Sequence, residues 1–299
     1  MIAQVAGAAD AEDRRRQLTK QINTDQREFW SSAAGPKWLQ FEAALDHHLQ
    51  PVLDGVLARA DIQSGDAVLD IGCGTGASAL QLGTLVGLEG RVVAADISGP
   101  MLARAVERAK GRTQLSFIEA DAQTHPFDTS QFNHLVSRFG VMFFADSVAA
   151  FANMARALKP GGRVTFATWG QIQANPFFTY PAQAARNVIG APPKVDPDLP
   201  GPFAFRDPDR VLDILGQAGL RDVQCETAEV MLTPQGSMMD FADMVMSIGP
   251  ANAAITHFEA DAAQIATLHA MLQDVFAPFE GPEGLRIPAQ INFFSAKAA

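Results

Sequence analysis

The chain has 299 residues, of which 47% are hydrophobic and 19% are charged, so its composition is typical of a globular protein. An excess of 33 acidic over 23 basic residues gives a formal net charge of −10. This charge repels a phosphate backbone and predicts no nucleic-acid partner. The 2 cysteines cannot build a disulfide framework and favour a reducing compartment. We expect no membrane span and a cytoplasmic location, because neither a long uncharged apolar run nor a signal-peptide pattern is present.

The first part of the chain is predicted to be helical. We expect residues 1–60 to form a lid that is separate from a larger domain over 61–299. Its predicted elements are a polar helix over Glu12–Ile22, an aromatic stretch that holds Trp30 and Trp38, and a helix over Leu39–Ala60 with a kink or restart at Pro51.

Beyond residue 61, short apolar runs alternate with helical segments. This alternation is typical of βαβ units and of a parallel sheet with helices on both faces. The predicted strands are Ala67–Ile71, Arg91–Ala95, Leu115–Ile118, Phe132–Ser137 and Arg163–Thr168. The predicted helices between them are Ala77–Val86, Gly99–Lys110 and Ser147–Leu158, the last of which ends at a Lys-Pro-Gly-Gly turn over 159–162.

After Trp169 the alternation gives way to proline-rich sequence. Residues 170–206 are expected to form an irregular cap with one helix over Tyr180–Val188, and residues 235–285 a second cap segment. The remaining predicted elements are a helix over Asp207–Ala218, a strand over Asp222–Leu232, helices over Met238–Ile248 and Ile255–Phe276, and a last strand over Arg286–Ala296.

The clearest motif joins the strand at Ala67–Ile71 to the helix that follows it. It reads VLDIGCGTG over residues 68–76. Its glycines permit a sharp turn and close approach of a ligand, and a helix N-terminus attracts an anion. Asp70 at the end of the strand can bind an ammonium or order the loop. The motif alone is compatible with a dinucleotide, a phosphate or an amino-acid carboxylate.

Two carboxylates follow the next two strands. Asp96 ends the second strand, where a carboxylate can accept both hydrogens of a ribose diol. Asp121 follows the third strand and, together with Ala122, can receive an adenine amino group. Each aspartate can instead be a helix cap or a solvated loop charge.

Five sequence blocks, taken together, resemble the class I S-adenosylmethionine-dependent methyltransferases. The blocks are VLDIGCGTG (68–76), VVAADIS (92–98), EADAQTHPF (119–127), FNHLVSRFGVMFF (132–144) and LKPGGRVTFATW (158–169). The resemblance covers residues 60–170 closely and the rest loosely. It implies an α/β, Rossmann-like, mostly parallel seven-stranded sheet with the last strand antiparallel. It also implies S-adenosyl-L-methionine as cofactor and S-adenosyl-L-homocysteine as product.

The resemblance further implies a set of cofactor-binding residues. Gly72 and Gly74 are expected to line the methionine part, Asp96 to hold the ribose, and Ile97 to pack on the adenine. The full expected set is Asp70, Gly72, Cys73, Gly74, Gly76, Asp96, Ile97, Met101, Asp121, Ala122, Ser137, Trp30 and Trp38. The two tryptophans are expected either to close over the cofactor or to anchor the N-terminal helices.

Methyl transfer from a sulfonium is an in-line displacement that succeeds mainly through positioning and desolvation, so it needs no catalytic dyad. Arg138 is a candidate to orient the cofactor carboxylate or an anionic substrate group, or it forms a structural salt bridge. His125 is either a base or a solvated loop residue. Tyr180 either faces the acceptor or is structural.

The acceptor is expected to be a small apolar or aromatic molecule, because several phenylalanines fall near the expected substrate mouth. No metal site is expected, since the histidines and cysteines lack ligand spacing. Two alternatives stay open. The first is a nicotinamide-dependent oxidoreductase, because Gly72, Gly74 and Ala77 also fit its G-x-G-x-x-A pattern. The second is a protein that binds S-adenosylmethionine without catalysis. The sequence does not indicate an oligomeric state.

Overall fold

The computed structural model describes Gln17 and residues 19–299. The predicted helix over Glu12–Ile22 therefore lies largely outside the described residues. The helices are α1 (19–28), α2 (Ala34–Gln40), α3 (Glu42–His48), α4 (Gln50–Ala60), α5 (Ala77–Val86), α6 (Gly99–Arg108), α7 (Ser147–Ala157), α8 (Pro176–Val188), α9 (Pro208–Gln217), α10 (Met238–Ser247), α11 (Pro250–His257) and α12 (Ala262–Phe276). A π-helical turn over Phe29–Ala33 joins α1 to α2.

The strands form one large sheet and a short hairpin. They are β1 (Ala67–Ile71), β2 (Arg91–Asp96), β3 (Leu115–Glu119), β4 (Phe132–Arg138), β5 (Leu158–Trp169), β6 (Arg221–Leu232), β7 (Glu280–Gly281), β8 (Gly284–Leu285) and β9 (Ile287–Lys297). In the described part of the chain the large sheet has 7 strands in the order β3-β2-β1-β4-β5-β9-β6. Strand β9 runs antiparallel to both of its neighbours, and the other pairs are parallel. The predicted fold is therefore confirmed.

Strand β1 lies in the interior of the sheet, between β2 and β4. All five of its residues are buried, as expected for a parallel strand that is covered on both faces. Helix α4 packs across β4, β5 and β6 through the buried residues Val52, Leu53 and Val56. Helix α4 falls inside the predicted 1–60 lid, and Leu45 and Leu49 before it also belong to the hydrophobic core. The boundary of a mobile lid stays a prediction.

The structure departs from the predicted elements at three places. The predicted Leu39–Ala60 helix breaks at Phe41 and again at Leu49, after which Pro51 occupies the first turn of α4, where its missing N–H is not needed. Strand β5 begins at Leu158 rather than Arg163, because Leu158 pairs with Phe132 of β4. The turn that follows is held by Gly161, which donates to the Ala298 carbonyl, and by Ala298, which donates to the Gly162 carbonyl.

The third departure lies in the C-terminal helices. The single helix predicted over Ile255–Phe276 is wrong, because the chain forms α11 and α12 as separate helices. Asp261 caps α12 by accepting the Gln264 N–H, and the Gln264 side chain accepts the Asp261 N–H in return. Such a reciprocal cap fixes a helix start at this point.

None of the helices in the described part of the chain is both long and apolar enough to cross a membrane.

The carboxyl ends of β1 and β4 approach each other backbone to backbone. A Cβ at Gly140 would lie 2.5 Å from the Ile71 carbonyl oxygen and 2.7 Å from Gly72 Cα. Gly72 itself has a φ of +69°, a conformation that favours glycine. The Ser137 hydroxyl donates to the Ile71 carbonyl over 2.7 Å and accepts the Gly140 N–H over 3.1 Å. This contact fixes the chain where both strands leave the sheet.

We predict that Gly140→Ala lowers the free energy of unfolding by about 1–3 kcal/mol, because the added methyl has no space between two backbone segments. Gly216→Ala is the control, since a Cβ at this exposed position on α9 meets nothing within 4 Å. The control should stabilise the protein by about 0.5–1 kcal/mol, as alanine does in a helix. Urea denaturation of the two variants measures both changes. Equal stability of Gly140→Ala and the parent protein would contradict the close approach.

Candidate active site

The glycine loop over 72–76 connects β1 to α5 above the buried side chain of Asp70. One carboxylate oxygen, Oδ2, accepts a 2.6 Å hydrogen bond from the Ser78 hydroxyl in the first turn of α5. The other oxygen, Oδ1, is buried and has no partner among the described residues. Burial raises the pKa of Asp70 to about 7, although Ser78 and Arg138 act in the opposite direction. Asp70 therefore holds the loop and keeps one free acceptor.

Asp96 ties the glycine loop to the start of α6. Its Oδ2 accepts the Gly74 N–H over 2.7 Å, and its Oδ1 accepts the Ser98 N–H over 2.8 Å. Burial raises the pKa of Asp96, and the hydrogen bonds from backbone N–H groups oppose that rise. A carboxylate has about four lone-pair positions, so these two bonds leave capacity for further donors. Ser98, rather than Asp96, caps α6 by accepting the Met101 N–H.

Three charged side chains at this edge of the sheet each keep one buried atom without a partner. These atoms are Oδ1 of Asp46, Oδ1 of Asp70 and Nη1 of Arg138, within the described part of the chain. Burial lowers the pKa of Arg138, while the charges of Asp46 and Asp70 raise it. One guanidinium thus lies within electrostatic reach of two carboxylates. A ligand with both an ammonium and a carboxylate has the charges and donors that would satisfy all three atoms.

Asp46 is the member of this group that sequence reasoning missed. Its Oδ2 accepts a 2.7 Å bond from Arg108 on α6, and Arg108 in turn donates to the carbonyl and hydroxyl of Thr75 in the glycine loop. Nothing in the sequence distinguishes Asp46 from other acidic residues on helices, because its partner lies 62 positions away.

The N-terminal segment lies over the carboxyl ends of β2 and β3. Asn23 on α1 donates to Asp121 Oδ2 over 2.7 Å, and Arg27 pairs with Glu119 at 2.8 Å. The Ser98 hydroxyl donates to the Trp30 carbonyl over 2.9 Å. One carboxylate oxygen of Asp121, the residue expected to receive the adenine amino group, thus accepts a hydrogen bond from a side chain of the protein itself.

Both predicted tryptophans meet at the loop that follows β4. The Trp30 ring packs edge-on against Trp38 at 6.0 Å and against Phe143 at 5.2 Å between ring centroids. The segment before α3 therefore joins the chain beyond Arg138 through an aromatic contact. This placement is compatible with both interpretations of the tryptophans, as lid and as anchor.

The remaining predicted residues are distributed as follows. The Cys73 side chain packs with Ala79, Ala94 and Leu102, and burial raises its pKa. Ser137 is occupied by its bonds to Ile71 and Gly140. Met101 lies near Gly74, Gly76 lies against Ala105, and Ile97 is half-buried. The Ala122 carbonyl accepts a hydrogen bond from Asn153. The His125 ring packs against Phe127, and the Tyr180 ring packs against Phe276 and Phe279 in the cap.

An aromatic surface of mostly buried, mutually packed rings continues from the carboxyl ends of β4 and β5 into the cap. Phe139, which follows Arg138 and has a φ of +65°, stacks on Trp169 at 4.4 Å. Trp169 then contacts Phe177 and Phe178 on α8. Over Gln17 and 19–299, no three His, Cys, Asp or Glu side chains cluster as metal ligands.

Comparison with known proteins assigns the central part of the chain to a family. A family model described as a methyltransferase domain matches residues 68–162. A ubiquinone/menaquinone biosynthesis C-methyltransferase of Francisella philomiragia is 34% identical over 111 residues, which is 36% of this chain and 44% of that protein. A demethylmenaquinone methyltransferase of Shouchella clausii is 34% identical over 110 residues, or 36% and 47% of the two chains. The chain thus matches less than half the length of these relatives.

Among solved structures, the cyclase SpnF has the same fold, with a TM-score of 0.50 at 19% identity over 82% of this chain and 80% of that one. This likeness concerns the fold alone, because one fold hosts different chemistries. The functional class rests instead on the family match, which runs from β1 to residue 162 in β5. The chain carries a class I S-adenosylmethionine-dependent methyltransferase domain.

We predict that Asp70→Asn stabilises the ligand-free protein most at high pH. Because the pKa of Asp70 in the folded protein is raised to about 7, ionisation above that value opposes folding, and the penalty disappears as the pH falls toward about 4. The increase in the free energy of unfolding should be on the order of 2–4 kcal/mol at pH 8 and near zero at pH 4. Urea denaturation at several pH values measures it, with the exposed Asp54→Asn as control. A gain that does not change with pH would contradict the buried, uncompensated state of Asp70.

Proposed function

We propose that this protein transfers the methyl group of S-adenosylmethionine to a small apolar or aromatic acceptor. The observation that carries the proposal is the set of three unpartnered buried atoms on Asp46, Asp70 and Arg138. The methionine part of the cofactor carries one ammonium and one carboxylate, which complement these charges. A nicotinamide dinucleotide carries no such pair, so the same observation disfavours the oxidoreductase alternative.

Within this proposal each part of the cofactor has a partner in the chain. Asp70 and Asp46 receive the ammonium, and Arg138 donates to the carboxylate. Asp96 has remaining acceptor capacity for the ribose hydroxyls. Ile97, Asp121 and Ala122 lie after β2 and β3, where the adenine is expected. These roles rest on placement at one edge of the sheet and on the unmet hydrogen-bonding capacity described above.

When bound, S-adenosylmethionine supplies a methyl group that is already activated by the positive sulfur. The task left to the chain is to orient the acceptor and to exclude water. The aromatic rings of Trp30, Trp38 and Phe143 suit this task, because they close the site with apolar surface and attract a nearby cation. This chemistry requires no general base from the chain unless the acceptor must lose a proton.

The acceptor class follows from the part of the chain outside the family match. The match ends at residue 162, whereas the aromatic surface of Trp169, Phe177 and Phe178 lies beyond it. An aromatic surface favours a flat or apolar acceptor. The names of the matched relatives, which concern quinone biosynthesis, agree with this class and support the same proposal.

We predict that the purified protein binds S-adenosylmethionine and S-adenosylhomocysteine at micromolar concentration and does not bind NAD. Isothermal titration calorimetry with the three ligands in parallel measures this directly. Binding of NAD alone would overturn the proposal in favour of a dehydrogenase. Binding of the first two ligands without turnover of any apolar or aromatic acceptor would favour a non-catalytic binding protein.

We further predict that two substitutions distinguish the residue that binds the amino-acid part of the cofactor from the residue that binds its ribose. Arg138→Gln should weaken the binding of S-adenosylhomocysteine by roughly 1.5–3 kcal/mol. The same substitution should not change the binding of 5′-methylthioadenosine, because this ligand lacks the amino-acid part. Asp96→Ala should weaken the binding of both ligands by a similar amount, because both contain the ribose. Calorimetric titration of each variant with each ligand measures the four values. If Arg138→Gln weakens the binding of both ligands equally, Arg138 does not bind the cofactor carboxylate.

A further inference from the structure

His48 is a buried polar side chain that the fold does not use. Its ring is fully buried at 0% exposure, and neither Nδ1 nor Nε2 has a hydrogen-bond partner among the described residues. Leu45, one turn earlier on α3, and Leu49, the next residue, are also buried. A leucine at position 48 would avoid the desolvation of two ring nitrogens. The ring nitrogens therefore have no role in the stability of the described structure.

The surroundings of His48 connect it to the aromatic surface of the site. Its ring lies 4.6 Å from Phe177 on α8 and 5.9 Å from Phe241 on α10, measured between ring centroids. Phe177 stacks on Trp169 at 6.2 Å, and Trp169 stacks on Phe139 next to Arg138. A row of rings thus leads from the residue after Arg138 to His48, between the sheet edge and the cap helices.

Helix α3 also fixes His48 relative to the glycine loop. Two residues before His48, Asp46 binds Arg108, which donates to Thr75 in the loop. Behind the ring, the His48 carbonyl accepts the Thr233 N–H over 3.2 Å. One short helix therefore carries a carboxylate toward the proposed cofactor site and an imidazole toward the cap.

We propose that His48 is the polar recognition residue of the acceptor site and that the acceptor is a neutral aromatic molecule whose hydroxyl hydrogen-bonds to the imidazole. This inference rests on the proposed function. Burial and the nearby His47 lower the pKa of His48 to about 3, so the ring is neutral and offers one donor and one acceptor. A neutral imidazole suits a hydroxyl and does not attract a carboxylate.

The test compares two ligands of nearly equal shape, 1-naphthol and 1-methylnaphthalene, by their binding to the protein saturated with S-adenosylhomocysteine. The measured quantity is the ratio of the two dissociation constants. His48→Leu should lower the preference for the hydroxyl at least tenfold, and His48→Gln, which can still hydrogen-bond, should restore part of it. His134→Leu is the matched control, since His134 is buried in β4 with Nδ1 unpartnered and contacts Asp66 before β1. The control should keep the preference of the parent protein.

A second readout separates recognition from a structural role. His48→Leu should raise the melting temperature of the ligand-free protein by about 2–4 °C, because it removes two unsatisfied polar atoms. His134→Leu should lower it, because it breaks the 3.0 Å contact with Asp66.

An unchanged ratio in His48→Leu would overturn the inference, as would a lowered melting temperature or failure of that variant to fold. Absence of naphthol binding to the saturated protein would also overturn it and would leave the cofactor assignment standing. Absence of S-adenosylhomocysteine binding would overturn the proposed function itself.

Discussion

The arrangement of this site depends on a guanidinium that lies within electrostatic reach of two carboxylates. Arg138 lies at the end of β4, Asp70 near the end of β1, and Asp46 on α3. Burying these charges is unfavourable unless they attract each other and are hydrogen-bonded. Their mutual attraction offsets part of the cost, yet each group keeps one unsatisfied atom. The ligand-free protein therefore holds hydrogen-bonding capacity in a place where only a ligand of matching charges can use it.

Helix α3, which has seven residues, contacts both α6 and the cap. Glu42 pairs with Arg104, and Asp46 pairs with Arg108, so the helix is tied to α6 on one side. On its other side His48 lies among the rings of the cap. A displacement of α6 or of the glycine loop is therefore expected to reach the cap through rigid, charge-paired contacts. Such a connection would let the cofactor side and the acceptor side of the site adjust together.

The N-terminal segment is attached in a different manner. Arg27 and Glu119 are both about half exposed, at 46% and 49%, and exposed ion pairs contribute little to stability. The hydrogen bonds of Asn23 and Trp30 add two further polar contacts at the same edge. Besides these polar contacts, the segment is held by the rings of Trp30 and Trp38 against Phe143, and a segment with so few contacts can separate at low free-energy cost. The Asp46–Arg108 pair of α3 is less exposed, at 18% and 21%, and this difference supports the proposed lid, which would open before α3 moves.

The sequence by itself determined the strands β1 to β5, the glycine loop and the carboxylates Asp70 and Asp96, because these features depend on local periodicity, on glycine and on position at strand ends. It did not reveal the break between α11 and α12, where the Asp261 cap outweighs continuous helical periodicity. Only the tertiary structure decided the significance of Asp46 and His48. Their local sequence is that of an ordinary amphipathic helix. Their unmet hydrogen bonds arise only when folding brings Arg108, Phe177 and Phe241 against α3 and excludes water from the same place.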